Sequence, residues 1–112
     1  MGWIQALGLL LLPPLAFGHA VLVESSLSEP VPAERSVAVR LVFNVAVEAA
    51  LSELRLVSAR GEIGPLRLRR GERPNELRFR LPPLLPGSYA IDYRILARDG
   101  HLTESALPFE VR

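Results

Sequence analysis

Alternation with a period of two runs through most of the chain beyond its apolar start. Val37, Val39, Leu41 and Phe43 alternate with Ala38, Arg40 and Val42, and Leu77, Phe79 and Leu81 alternate with Arg78 and Arg80. Tyr89, Ile91, Tyr93 and Ile95 alternate with Ala90, Asp92, Arg94 and Leu96, and Leu107, Phe109 and Val111 alternate with Pro108, Glu110 and Arg112. Such spacing sends successive side chains to opposite faces of a pleated strand, so each run predicts a strand with one buried face. Shorter candidates are Ala20–Val23, Glu53–Val57 and Leu66–Arg69. Arg60-Gly61, Arg70-Gly71, Pro74-Asn75, Pro82-Pro83, Pro86-Gly87 and Asp99-Gly100 mark the turns between them. No helical stripe of useful length competes, and Val45–Leu54 is expected to form a helical turn or a loose crossover. About seven short strands at this spacing predict an all-β fold, a two-sheet antiparallel sandwich with Greek-key connections. The inward-facing Tyr89 and Tyr93 are expected in its core.

The first residues read differently. Ile4–Leu15 is a short apolar run followed by Ala16-Phe17-Gly18. Small residues at Ala16 and Gly18 satisfy the signal-peptidase rule, and a cut there releases a chain beginning His19-Ala20-Val21. The run falls short of the about 20 apolar residues a membrane span needs, and Pro13-Pro14 would break a helix within it. No lysine or arginine precedes the run, and Gly18-His19-Ala20 also meets the small-residue rule, so a cut after Ala20 is the competing reading. The expected organisation is a signal peptide over 1–18 and a single domain over 19–112.

Composition narrows the chemistry. The chain has no cysteine, which excludes disulfides, thiolate metal sites and cysteine nucleophiles, and Met1 is its one methionine. A net charge of +1 argues against general electrostatic binding to nucleic acid or acidic lipid. Arg67, Arg69, Arg70, Arg73, Arg78 and Arg80 crowd together against Glu72 and Glu76. That stretch reads as the solvated face of two strands or as a docking patch, without the interleaved aromatics of a nucleic-acid surface. The Ser25-Ser26 pair has no neighbouring histidine base in the sequence, and no phosphate-cradling glycine loop is present.

The chain's two histidines both stand where a metal site would want them. A chain beginning with His19 offers its α-amine and ring nitrogen as a chelate, and a second imidazole would complete a three-nitrogen histidine brace. Asp99 and His101 are two apart, so in extended backbone they share a side, and Gly100 between them permits a tight turn. Nitrogen ligands in a tetragonal set suit Cu(II), whereas the thioether and thiolate donors that Cu(I) prefers are missing after the leader. The duller alternative is that Asp99 caps its own turn and His101 is a surface residue.

Several segments together resemble the CopC family of periplasmic copper-binding proteins. These are the leader ending at His19-Ala20, the strand Ala20–Val23, Leu41-Val42-Phe43, Pro86-Gly87-Ser88-Tyr89, Tyr93-Arg94, Asp99-Gly100-His101 and the closing Phe109-Glu110-Val111. The resemblance implies a small immunoglobulin-like β-sandwich or barrel in the periplasm, with one Cu(II) held by His19, Asp99 and His101. Some members add a glutamate ligand where this chain has Val45, and the methionine-rich Cu(I) segment of others is missing. Leu27 replaces an early proline, and the glycine expected after the triplet is absent from Leu102–Ala106.

The leading functional expectation is a monomeric, non-enzymatic copper carrier that buffers Cu(II) or hands it to a CopD-type membrane transporter. The alternatives are a copper enzyme like the lytic polysaccharide monooxygenases, which use a similar brace, and a metal-free β-sandwich interaction module. Against the enzyme, an anionic ligand such as Asp99 favours the oxidised ion.

Overall fold

The computed structural model describes residues 19–112, so the leader expected over 1–18 lies outside the described residues. The described residues form eight strands: β1 (Leu22–Ser25), β2 (Val37–Phe43), β3 (Glu53–Ser58), β4 (Gly61–Leu66), β5 (Arg69–Arg70), β6 (Glu76–Leu81), β7 (Gly87–Leu96) and β8 (Leu102–Val111). They make two four-stranded antiparallel sheets, ordered β1-β2-β6-β5 and β4-β3-β7-β8. The connections β2 to β3, β4 to β5 and β6 to β7 each pass from one sheet to the other, which gives the expected Greek-key sandwich. Among the described residues no helix is long and apolar enough to cross a membrane.

The alternating residues form the core. In the first sheet Val39 stands opposite Phe79 and Leu41 opposite Leu77; in the second Leu54 faces Tyr93 and Leu56 faces Ile91. All eight are buried. Phe43 and Tyr93 join the two sheets edge to face, with ring centroids 5.9 Å apart. Tyr89 stacks on Phe109 at 5.8 Å and donates its hydroxyl to the Leu85 carbonyl at 2.7 Å, so both tyrosines serve packing as expected.

Two expectations need correction. The first strand lies two residues later than Ala20–Val23, because the N–H groups of residues 20 and 21 donate to side chains instead of to a neighbouring strand. The single strand expected over Leu66–Arg69 is two strands, β4 and β5, with residues 67 and 68 between them. Gly61, Gly64 and Pro65 disguise β4, yet it forms a hairpin with β3 that accommodates a bulge beside Leu56. The described residues thus hold eight strands, in keeping with the expected about seven. The Val45–Leu54 stretch contributes one 3-10 turn, Ala49–Leu51, ahead of β3.

One carboxylate is buried on the outer side of the first sheet. Glu76 is 4% exposed, and its Oε2 accepts from Arg40 Nε and Arg78 Nε, both at 2.9 Å. The hydrogen bond from Arg78 does most to hold its carboxyl below the ordinary value; burial opposes this, and the charges of Arg78 and Arg40 reinforce it. Gly71 lies directly over it, where a Cβ would come within 2.5 Å of Glu76 Cγ.

Candidate metal centre

The β7–β8 hairpin ends in a turn built by Asp99 and Gly100. Ala97 N–H donates to the His101 carbonyl at 2.8 Å, Gly100 N–H donates to the Ala97 carbonyl at 2.9 Å, and Gly100 has a φ of +100°. Only glycine adopts that backbone without strain. His101 N–H donates to Asp99 Oδ1 at 3.1 Å, so Asp99 does cap its own turn. The turn is anchored from the side by the 46–48 segment. Arg98 N–H donates to the Ala46 carbonyl at 2.9 Å, Glu48 N–H to the Leu96 carbonyl at 2.8 Å, and Arg98 pairs with Glu48 at 3.5 Å.

Capping does not exhaust what Asp99 does. His101 Nδ1 lies 3.2 Å from the same Oδ1. The backbone N–H of His101 is the main reason the Asp99 carboxyl stays below its ordinary value, with partial burial opposing and the His101 ring assisting. An ionised carboxylate only accepts hydrogen bonds, so this contact calls for a proton on Nδ1, and a ring with its single proton there has Nε2 as its lone-pair donor. Carboxylate support of this kind is how metal-binding histidines are usually oriented. Both hydrogen bonds from His101 end on Oδ1, which leaves Oδ2 as the oxygen able to reach an ion.

His19 comes from the other end of the chain. Ala20 N–H donates to Thr103 Oγ1 at 3.1 Å, and Val21 N–H donates to Asn44 Oδ1 at 2.7 Å. Asn44 N–H returns a bond to the Val21 carbonyl at 2.9 Å, and the Ala20 side chain is buried at 2% exposure. Asn44 follows directly on β2, whose last residue is held by Asn75: Phe43 N–H donates to the Asn75 carbonyl, and Asn75 Nδ2 to the Phe43 carbonyl. Thr103 is the second residue of β8, and His101 directly precedes that strand. The clamp on residues 20 and 21 therefore sets His19 beside His101. Their ring centroids are 6.2 Å apart, with planes inclined at 69°.

This separation allows a test of fit. Two imidazoles on opposite sides of one ion, each with a metal–nitrogen bond of about 2 Å, bring their ring centres to about 6 Å. The 6.2 Å between the two rings is the separation that such a pair would have. Among the described residues no group of three or more His, Asp or Glu side chains is placed so that it could hold a metal ion as it stands. His101 meets His19 on one side and Asp99 on the other, while the His19 nitrogen that would serve as an amine ligand is a peptide nitrogen as long as Gly18 precedes it. All three residues are exposed, as access for an ion requires. Val45, where some relatives are expected to place a glutamate, is half-buried and packs against the core.

Sequence reasoning missed Asn44 and Thr103. Each is a polar residue at or beside a strand end, and no spacing rule singles out such a position. The serine pair, which offered no nucleophile, turns out to serve the backbone. Ser25 Oγ accepts from Leu27 N–H at 2.9 Å and Ser26 Oγ from Arg40 N–H at 3.0 Å.

A family model described as the CopC domain matches residues 23–112. The crystal structure of CopC from Methylosinus trichosporium OB3b superposes with a TM-score of 0.71 at 31% identity, covering 83% of this chain and 93% of that one. PcoC, a methionine-rich copper resistance protein from Escherichia coli, superposes with a TM-score of 0.67 at 20% identity, covering 84% of this chain and 99% of that one; this likeness speaks for the fold alone. No curated protein matches the chain.

Proposed function

The chain belongs to the CopC family, and from that premise we propose that it is an exported periplasmic protein that binds one Cu(II) ion and buffers it or hands it on in copper resistance or supply. The observation that carries this reading is the 6.2 Å approach of the His19 and His101 rings, the chain's two histidines, from opposite ends of the sequence. Signal peptidase removes residues 1–18 and leaves 19–112 as the working domain. Cleavage before His19 frees its α-amine, which then joins the ring nitrogen of the same residue as a chelate.

Each residue has a distinct part in taking up the ion. His19 supplies two nitrogens and His101 supplies Nε2, while Asp99 keeps the His101 ring in the matching tautomer and turns Oδ2 towards the cation. A carboxylate near the ion favours the divalent state, and the domain has neither cysteine nor methionine to attract Cu(I). We read the domain as a carrier that takes up and releases the ion rather than as an enzyme. The resemblance extends the reading to a CopD-type membrane protein as recipient, met by a monomer.

Mass spectrometry of the exported protein and a copper titration test this together. The expected results are a chain beginning at His19 and saturation at one equivalent of Cu(II). A chain beginning at Val21, or one that binds no Cu(II), would overturn the reading.

A further inference from the structure

The outer faces of the two sheets are charged by opposite rules. On the second sheet, charges alternate across the strands: Glu53 on β3 stands opposite Arg94 on β7, which stands opposite Glu104 on β8, and Arg55 stands opposite Asp92. Arg94 pairs with Glu104 at 3.3 Å and Arg55 pairs with Glu62. On the first sheet, Arg40 on β2 stands opposite Arg78 on β6, and Arg78 stands opposite Arg69 on β5. Arg80, two residues along β6, falls on the same face. Neighbouring strands are about 4.8 Å apart, and like charges placed directly opposite one another are destabilising.

Carboxylates answer only half of this row. Glu76 takes Arg40 and Arg78, and Glu24 adds a 3.2 Å bond to Arg40. Among the described residues no carboxylate pairs with Arg69 or Arg80; Arg80 Nε reaches only Ser36 Oγ, at 3.1 Å. Protection of a sheet edge accounts for Arg69 on the two-residue edge strand β5, but Arg78 and Arg80 belong to the interior strand β6. The Glu76 cluster accounts for Arg40 and Arg78 but not for Arg80, and it leaves further guanidinium N–H groups along the row. Guanidinium forks suit the recognition of anions, since they bind carboxylates in pairs of hydrogen bonds.

The arginines frame an open groove of about 460 Å³, whose lining also includes the small residues Ser26 and Ala38. We propose that this groove docks an acidic segment of another polypeptide, with its side-chain carboxylates received by Arg69, Arg78 and Arg80. The recess favours a narrow extended chain, whose side chains reach between the arginines, over a flat anionic bilayer, which would meet only their tips. The surface is separate from the His19–His101 pair, so the proposal stands or falls without the copper reading.

The test is calorimetric titration of the protein with a hexaglutamate peptide at low and physiological salt. Binding is expected at low salt, weaker at higher salt, and reduced by about tenfold or more in the Arg69→Glu/Arg80→Glu double variant. Both positions lie outside the Glu76 cluster, and an unchanged melting temperature verifies the fold; if the charge reversals unfold the protein, Arg69→Gln/Arg80→Gln takes their place. Arg60→Glu, in the exposed β3–β4 turn, is expected to bind like the parent. Absence of peptide binding, or an equal loss in Arg60→Glu, would overturn the proposal. So would phosphatidylglycerol vesicles that bind with the same arginine dependence when the peptide does not.

Discussion

Replacing Thr103 by valine removes one hydroxyl and nearly preserves the side-chain shape, and it strikes the clamp that sets His19 beside His101. Three hydrogen bonds and one buried methyl hold residues 20 and 21 in place. At about 1 kcal/mol net per hydrogen bond and under about 1 kcal/mol for the methyl, they contribute roughly 3–4 kcal/mol. Ordering residues 19–21 costs about 1 kcal/mol or somewhat more per residue, so the clamp is nearly balanced between closed and open. In Thr103→Val the buried Ala20 N–H loses its acceptor, at a cost of about 1–3 kcal/mol, and the open state predominates. Because only the closed state presents both imidazoles, copper affinity falls with the closed fraction, from about one half in the parent, by roughly 3- to 80-fold. Competition with a chromophoric Cu(II) chelator measures this, while copper-free thermal unfolding reports the fold and should change little. Thr103→Ser, which keeps the acceptor, should restore most of the affinity. An unchanged affinity in Thr103→Val would refute the clamp, and a parallel collapse of affinity and fold would mean that Thr103 matters to the sandwich rather than to the site.

Three further outcomes are expected. Gly71→Ala forces a methyl into Glu76 and should destabilise the domain by about 1–3 kcal/mol in urea unfolding, whereas an unaltered midpoint would mean that the strands shift freely. Glu76 has a folded pKa below the ordinary 4.5, so it contributes stability above that value and loses it as pH falls through the folded pKa; Glu76→Gln should be less stable at pH 7 and show a shallower acid slope below about pH 4.5. An identical acid slope in Glu76→Gln would remove that carboxylate from the account. Phe43→Ala, at the fully buried ring that meets Tyr93 between the sheets, should cost about 3–5 kcal/mol of unfolding free energy, and a loss below 1 would argue against the edge-to-face core.

The long strands were legible because burial on one face and exposure on the other write themselves into alternate residues. Val37–Phe43 matches β2 residue for residue, and the tyrosine–isoleucine run falls within β7. Strand β4 was not legible, since Gly61, Gly64 and Pro65 are turn residues by propensity and its pairing with β3 is a tertiary decision. The Asp99-Gly100-His101 turn could be read locally, as both hairpin and chelate. The nearness of His19 to His101 could not, because eighty-odd residues and the closure of both sheets separate the two in sequence. Glu76 looked like one more surface charge among arginines; its burial depends on Gly71 arriving from a neighbouring turn. Nor does a single chain reveal that Arg40, Arg69 and Arg78 share a row, which register alone decides.

Electron paramagnetic resonance of the Cu(II)-loaded chain beginning at His19, set beside the same chain with its α-amine acetylated, tests the copper reading most directly. A type 2 spectrum with coupling to several nitrogens is expected, losing one nitrogen on acetylation and another in His101→Ala. Spectra indistinguishable among the three would contradict it, because neither the freed amine of His19 nor the ring of His101 would then be holding the ion.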